Sequence, residues 1–221
     1  MNRSTRTRSE IQPDRRRPSE VARHVVLPAD IRTTGWPRVE AQARACGIEY
    51  DGWQRQLGRC ILGKTSDGVY AAGIGGVVVS ICRQVGKTFL IGTMIVMLCI
   101  LNEYPLKVLW TAHRTRTSDE TFKFMCALVR RKAISRFVDG EPRRANGQQE
   151  IVFVNSSRIM FGARENGFGR GFDSVDVEVF DEAQILTERA LDDMIPATNA
   201  APNPLIIYMG TPCLLYTSDA A

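Results

Sequence analysis

Histidine is almost missing from this chain: 221 residues contain two, His24 and His113. The six cysteines, Cys46, Cys60, Cys82, Cys99, Cys126 and Cys213, form no Cys-x-x-Cys pair, and both histidines sit far from any such cluster. That pattern argues against a zinc site. No apolar run is long enough for a membrane span. The longest candidate, Thr88 to Leu101, falls short of the roughly 20 residues required and is bracketed by Lys87 and Asn102–Glu103. It reads as a buried core helix. No internal repeat is present. No secretory signal is recognisable, so scattered cysteines fit a reducing, intracellular setting. A chain of this length with 44% hydrophobic residues builds a core without disulfides.

What is present is unevenly spread. The formal net charge is +5, but most of it comes from Arg3, Arg6, Arg8, Arg15, Arg16, Arg17 and Arg23, set against Glu10, Asp14 and Glu20. Residues 1–24 therefore read as a disordered basic arm, either simply solvated or touching nucleic acid through phosphate neutralisation. Residues 25–212 read as one domain.

Along that domain, strand and helix signals alternate. Helical character runs from Pro37 to Cys46 and again from Gln54 to Leu62, and Asp67–Gly68 signals a turn. Gly76 to Ser80 is a β-branched run, expected as a buried strand. A loop follows over Ile81 to Gly86, then a helix over Lys87 to Asn102 and a strand over Lys107 to Thr111. A helix is expected over Ser118 to Lys132, with Ser118 as its N-cap. Glu150 to Val154 and Arg158 to Gly162 read as strands around a turn at Asn155–Ser157. A strand at Val175 to Phe180, a helix at Thr187 to Met194 and a strand at Leu205 to Met209 complete the series. The implied class is α/β: a mainly parallel sheet with helices on both faces, whose ligands bind at the carboxyl ends of strands.

Two motifs carry chemistry. The first is Ser80-Ile81-Cys82-Arg83-Gln84-Val85-Gly86-Lys87-Thr88, between an expected strand and an expected helix. Loop N–H groups and a helix N-terminus there face an anion. Gly86 lets the backbone approach a phosphate, Lys87 reaches the terminal phosphates, and Thr88 supplies an oxygen for Mg²⁺. Ile81 stands where the usual first glycine of such a loop would be. The second motif is Val177-Glu178-Val179-Phe180-Asp181-Glu182, an apolar strand delivering two adjacent carboxylates. Asp181 suits Mg²⁺, and Glu182 suits polarising a water. Alone, each motif is also explained without catalysis, by a chance Gly-Lys-Thr or by acids at a helix start. Together, in this order, they point to ATP and Mg²⁺.

Arg-Gln-Val-Gly-Lys-Thr at 83–88, followed by Asp-Glu-Ala-Gln at 181–184, resembles the ATPase domain of the large terminases of tailed phages, over about residues 50 to 212. In that family the missing first glycine and the Arg-Gln pair are usual. The resemblance implies a RecA-like P-loop NTPase fold of the ASCE type, in which the catalytic glutamate follows the Mg²⁺ aspartate. It implies ATP hydrolysis that drives double-stranded DNA into a procapsid. The implied partners are the portal protein, the small terminase subunit and further copies of the chain in a ring, with no membrane. The implied place is the host cytoplasm at the procapsid portal.

Residue by residue, Gln54 matches an adenine-reading glutamine, or is an ordinary helix-start residue. Arg83, Gln84, Val85, Gly86, Lys87 and Thr88 match the nucleotide-binding loop. Arg83 would neutralise phosphate charge, or is a surface cation. Arg170, in the glycine-rich stretch that also holds Arg164, matches an arginine that acts on a neighbour's ATP. Its alternative is a loop arginine paired with Asp173 or Asp176. Thr211, after Met209–Gly210, matches a coupling motif. His113 to Arg116 reads as a solvated loop, or as a phosphate or DNA contact.

Residues 213–221 break the pattern and read as a non-native, adaptor-derived tail. A nuclease domain of the family is expected to lie outside this chain, so nuclease activity is not expected of it. Two other readings stay open: a helicase-like nucleic-acid ATPase on the same fold, and a nucleotide-binding module without turnover.

Overall fold

The computed structural model describes residues 22–145, 148–166, 168 and 171–212. The expected basic arm, apart from Ala22, Arg23 and His24, lies outside the described residues. So do Arg170 and the expected tail from Cys213 onward.

The chain begins with a small antiparallel pair, β1 (Thr33–Thr34) and β2 (Gly63–Lys64). Between them lie α1 (Trp36–Ala45) and α2 (Gly52–Ile61). Pro37 suits the first turn of α1, where its missing N–H costs nothing. A capping box starts α2: Gln54 Oε1 accepts from the Asp51 N–H, and the Asp51 side chain accepts from the Gln54 backbone. Gly58 of α2 packs against the Trp36 ring so closely that a Cβ there would overlap it.

The main sheet has seven strands. In chain order these are β3 (Val77–Ser80), β4 (Lys107–Ala112), β5 (Arg143–Ala145), β6 (Gln148–Val152), β7 (Arg158–Ala163), β8 (Val177–Phe180) and β9 (Leu205–Gly210). Their spatial order is β3-β9-β8-β4-β7-β6-β5. The pairs from β3 to β7 are parallel, and β6 and β5 add antiparallel. The helices are α3 (Lys87–Leu101), α4 (Thr115–Val129), α5 (Lys132–Ser135) and α6 (Glu188–Met194).

Strand alternation splits the core in two. Val108, Trp110, Val177, Val179, Ile207 and Met209 join one cluster with residues of α1 to α5. Leu109, Phe180 and Ile206 point the other way, to Met194 of α6 and Ala197. Helix α3 is apolar all round, and its residues from Leu90 to Met97 are buried, as expected of a core helix. Among the described residues no helix is long and apolar enough to cross a membrane.

Four local expectations are corrected. The strand at Val77–Ser80 is not buried throughout. It is the sheet's edge, and Val78 is 74% exposed while Val79 is buried. Helix α4 starts at Thr115, a turn before Ser118. Ser118 is not its cap: it is buried within the first turn, with its hydroxyl unpartnered among the described residues. The start is capped from outside, by Glu165 Oε1 accepting from the N–H and hydroxyl of Thr115 at 2.8 Å each. Strand β6 lies two residues earlier than expected, because Phe153 to Ser157 close the turn, with Ser156 at φ 66°. Strand β5 carries no sequence signal; pairing with β6 defines it.

One buried group stands out. Glu178, in the middle of β8, has no exposed surface, and neither carboxylate oxygen has a hydrogen-bond partner among the described residues. Burial pushes its pKa up to about 7, and nearby Arg164 opposes the rise. The unfolded chain releases this proton near the ordinary 4.5, while the folded chain keeps it until about 7. Stability from this group is therefore full below pH 4.5 and is lost as pH rises to about 7.

Two outcomes are expected. Glu178→Gln should flatten the fall in stability across that window and leave the protein more stable at about pH 8, on the order of 2–3 kcal/mol. Urea unfolding at several pH values reads this, and an unchanged pH slope would contradict the buried carboxylate's role. Gly58→Ala should destabilise the chain by about 1–3 kcal/mol through overpacking against Trp36, read by thermal unfolding.

Candidate functional site

The carboxyl ends of β3, β9 and β8 lie side by side, and the loops leaving them form the site. After β3 the backbone stays tied to β9 through Ile81 N–H to Gly210 O at 3.3 Å. It then curls back through Gln84 (φ 60°) and Gly86 (φ 94°) into α3. Gly86 is needed twice over. Its backbone is left-handed, and a Cβ would stand 2.9 Å from Gln54 Nε2.

Lys87, the first residue of α3, folds its ammonium back across the loop. Nζ donates to Ile81 O at 2.6 Å, Cys82 O at 2.8 Å and Thr211 Oγ1 at 3.4 Å. Burial lowers its pKa, and Asp181 opposes that shift. The lysine therefore lies within electrostatic reach of the acid strand.

Asp181 follows β8 directly, and its N–H still donates to Thr111 O at 2.7 Å. Desolvation raises its pKa, while the Glu182 N–H bond, Arg164 and Lys87 hold it down. Glu182 has φ 55° and ψ 43°, a left-handed conformation costing about 1–2 kcal/mol for a residue with a side chain. Its N–H donates to Asp181 Oδ1 at 2.9 Å, and its Oε2 is buried with no hydrogen-bond partner among the described residues. Strained backbone and unpartnered buried acceptors cluster at functional sites.

These parts share one cleft of about 560 Å³, within the range of small-molecule sites. Arg83, Gln84, Gly86, Lys87 and Thr88 line one side, and Asp181, Glu182 and Thr211 another. The N-terminal half of α4 completes the wall through Thr117, Glu120, Thr121 and Phe124. The donor set fits a magnesium-loaded triphosphate: a cationic loop for the anion, and a hydroxyl and carboxylates, all hard oxygens, for the metal.

Two expected residues stand apart from this wall. Val85 is exposed. Gln54 is buried; its amide oxygen caps α2, and its amide nitrogen donates to Gly86 O at 3.3 Å. It ties α2 to the loop. The alternative partners named for Arg170, Asp173 and Asp176, are both engaged by Lys107.

Sequence reading assigned no role to two residues here. Gln184 Oε1 accepts from the Thr211 N–H at 3.1 Å, stitching the end of β9 to the acid loop. Arg164 donates to the carbonyls of Thr111 and Asp181. Both act on backbone groups, which leave no pattern of paired residue types. The tetrapeptide Asp-Glu-Ala-Gln was the only signal that pointed near Gln184.

No family model matches this chain, and no curated protein matches it. Solved structures do. The large terminase of bacteriophage HK97 superposes with a TM-score of 0.65 at 18% identity, over 80% of this chain and 38% of that one. The large terminase ATPase domain of Thermus phage P74-26 superposes with a TM-score of 0.59 at 13% identity, over 86% of this chain and 71% of that domain. The chain thus spans well under half the length of the HK97 protein. At these identities the likeness is one of fold. This chain has the RecA-like α/β fold seen in large terminase ATPase domains.

Proposed function

We propose that residues 25–212 form the ATP-hydrolysing domain of a terminase large subunit, whose turnover moves double-stranded DNA into a procapsid. One observation carries the reading: Lys87 and Thr88 line the same cleft as Asp181, Glu182 and Thr211. The likeness of fold to terminase ATPase domains supports the choice of motor over other P-loop ATPases.

In this reading an incoming triphosphate takes Lys87 Nζ away from the carbonyls of Ile81 and Cys82. The loop backbone over Gln84 to Gly86 and the N-terminus of α3 receive the phosphates. Thr88 and Asp181 would hold Mg²⁺, which when bound offsets phosphate charge. Glu182, with an unoccupied acceptor, orients and polarises the attacking water. Arg83 neutralises charge from its own subunit, and Arg170 does so from a neighbour in a ring. Gln54 holds Gly86 O and the Asp51 N–H with one amide N–H and one lone pair, which leaves a second N–H and a second lone pair for an adenine edge. Thr211 touches Lys87 through its hydroxyl and Gln184 through its N–H. It is therefore placed to pass a change at the phosphates into β9. Portal protein and small terminase subunit are the partners this role requires, at the procapsid portal in the host cytoplasm.

Lys87→Ala should remove nucleotide binding and turnover. Glu182→Gln should keep binding while lowering phosphate release by about 100-fold or more. Fluorescent-nucleotide titration and steady-state phosphate release separate the two effects. Full turnover by Glu182→Gln would refute its assignment.

A further inference from the structure

Arg164 leaves β7 in the short turn Arg164–Asn166, and its guanidinium reaches back to the strand ends. Nη1 donates to Thr111 O at 3.0 Å and to Thr111 Oγ1 at 3.1 Å, and Nη2 donates to Asp181 O at 2.8 Å. The group also lies over the Phe180 ring, 5.9 Å from its centroid. These acceptors sit where β4–β8 pairing runs out: Thr111 is in the last register pair, with Phe180, and Asp181 is one residue beyond it. The carbonyl of Asp181 and the N–H of Glu182 belong to a single peptide unit. Arg164 holds its carbonyl end, and Asp181 Oδ1 holds its N–H end. The plane between the two carboxylate-bearing residues is thus fixed at both edges, in the orientation that gives Glu182 its positive φ.

We propose that Arg164 is a positioning residue for the acid pair: by fixing the Asp181–Glu182 peptide, it sets the direction in which both carboxylates enter the cleft. The inference rests on the ATPase reading above. Arg164 is absent from the wall of that cleft, so it acts through Asp181 and not on the nucleotide. It differs in this from Arg83, which lines the cleft.

The chemistry calls for arginine. Three acceptors, two on β4 and one just past β8, need a planar fork with donors in fixed directions, which a lysine ammonium does not supply. Burial draws the guanidinium's pKa down to about 10, with Asp181, Glu182 and Glu178 opposing the fall, so it stays a cation at neutral pH. The turn itself is anchored. Glu165 N–H donates to His113 O at 3.3 Å, and the Glu165 carboxylate caps α4 at Thr115. The same dipeptide therefore fixes the ends of β4 and β8 and the start of the helix that walls the cleft.

The test compares wild type, Arg164→Lys and Arg164→Ala in the whole chain. Thermal unfolding, binding of a fluorescent ATP analogue with and without Mg²⁺, and phosphate release are all measured. Arg164→Lys is expected to keep metal-free affinity within about twofold and to lose roughly fivefold or more of the gain that Mg²⁺ gives. Its kcat should fall roughly tenfold or more with little change in KM. If Arg164→Ala does not fold, the lysine variant carries the comparison. A lysine variant with the wild-type Mg²⁺ gain and kcat overturns the proposal. So does one that loses metal-free and metal-dependent binding equally, which marks a general structural role. Wild type that binds no nucleotide defeats the ATPase reading, and this inference with it. Wild type that binds tightly beside an unimpaired lysine variant defeats this inference alone.

Discussion

The insertion of β9 between β3 and β8 is the constraint on which the rest of the site depends. Parallel strands about 4.8 Å apart place the loop after β3 and the acids after β8 about 10 Å from each other. A lysine on one side and carboxylates on the other then face each other across a gap wide enough for the phosphates that the proposed function places there. The end of β9 falls in the gap, so Thr211 meets Lys87 through its hydroxyl and Gln184 through its N–H. A strand order that made β3 and β8 neighbours would leave no place for such a residue.

Two of the three polar groups around this gap have substitutes for the partners a nucleotide would bring. Lys87 is bonded to loop carbonyls, Asp181 accepts from the next residue's N–H, and Glu182 keeps a buried oxygen without a partner among the described residues. In the first two only one partner is charged, whereas a bond to phosphate or metal would pair two opposite charges. The apolar strands of β8 and β9 and the buried helix α3 hold these groups in place. Glu178 is the exception inside that scaffold. It is a carboxylate buried among strands, three residues before the acid that lines the cleft, with Arg164 as its nearby countercharge.

Much of this was legible in the residues. The β-branched run before Gly86–Lys87–Thr88 and the apolar run before Asp181–Glu182 named the strands, and period and turn signals placed most helices. Such signals are local. Strand order is not local, so Val78 reads as buried and stands at an open edge. Helix α4 is capped by Glu165, fifty residues away in sequence, and no rule about neighbouring residues finds that. Glu178 interrupts an otherwise apolar run, and no local pattern tells that helices or turns cover both faces of β8 and bury its carboxylate. Arg164 escaped because its acceptors are mostly backbone carbonyls, which every residue carries.

The shared cleft is tested most directly by a crystal structure of the chain with a non-hydrolysable ATP analogue and Mg²⁺. The expected result is one triphosphate between the two motifs, with Lys87 Nζ moved off the carbonyls of Ile81 and Cys82 onto phosphate oxygens and Asp181 and Glu182 facing the same phosphates. Nucleotide bound elsewhere, or bound to the loop with the acid pair turned away from it, would contradict the account.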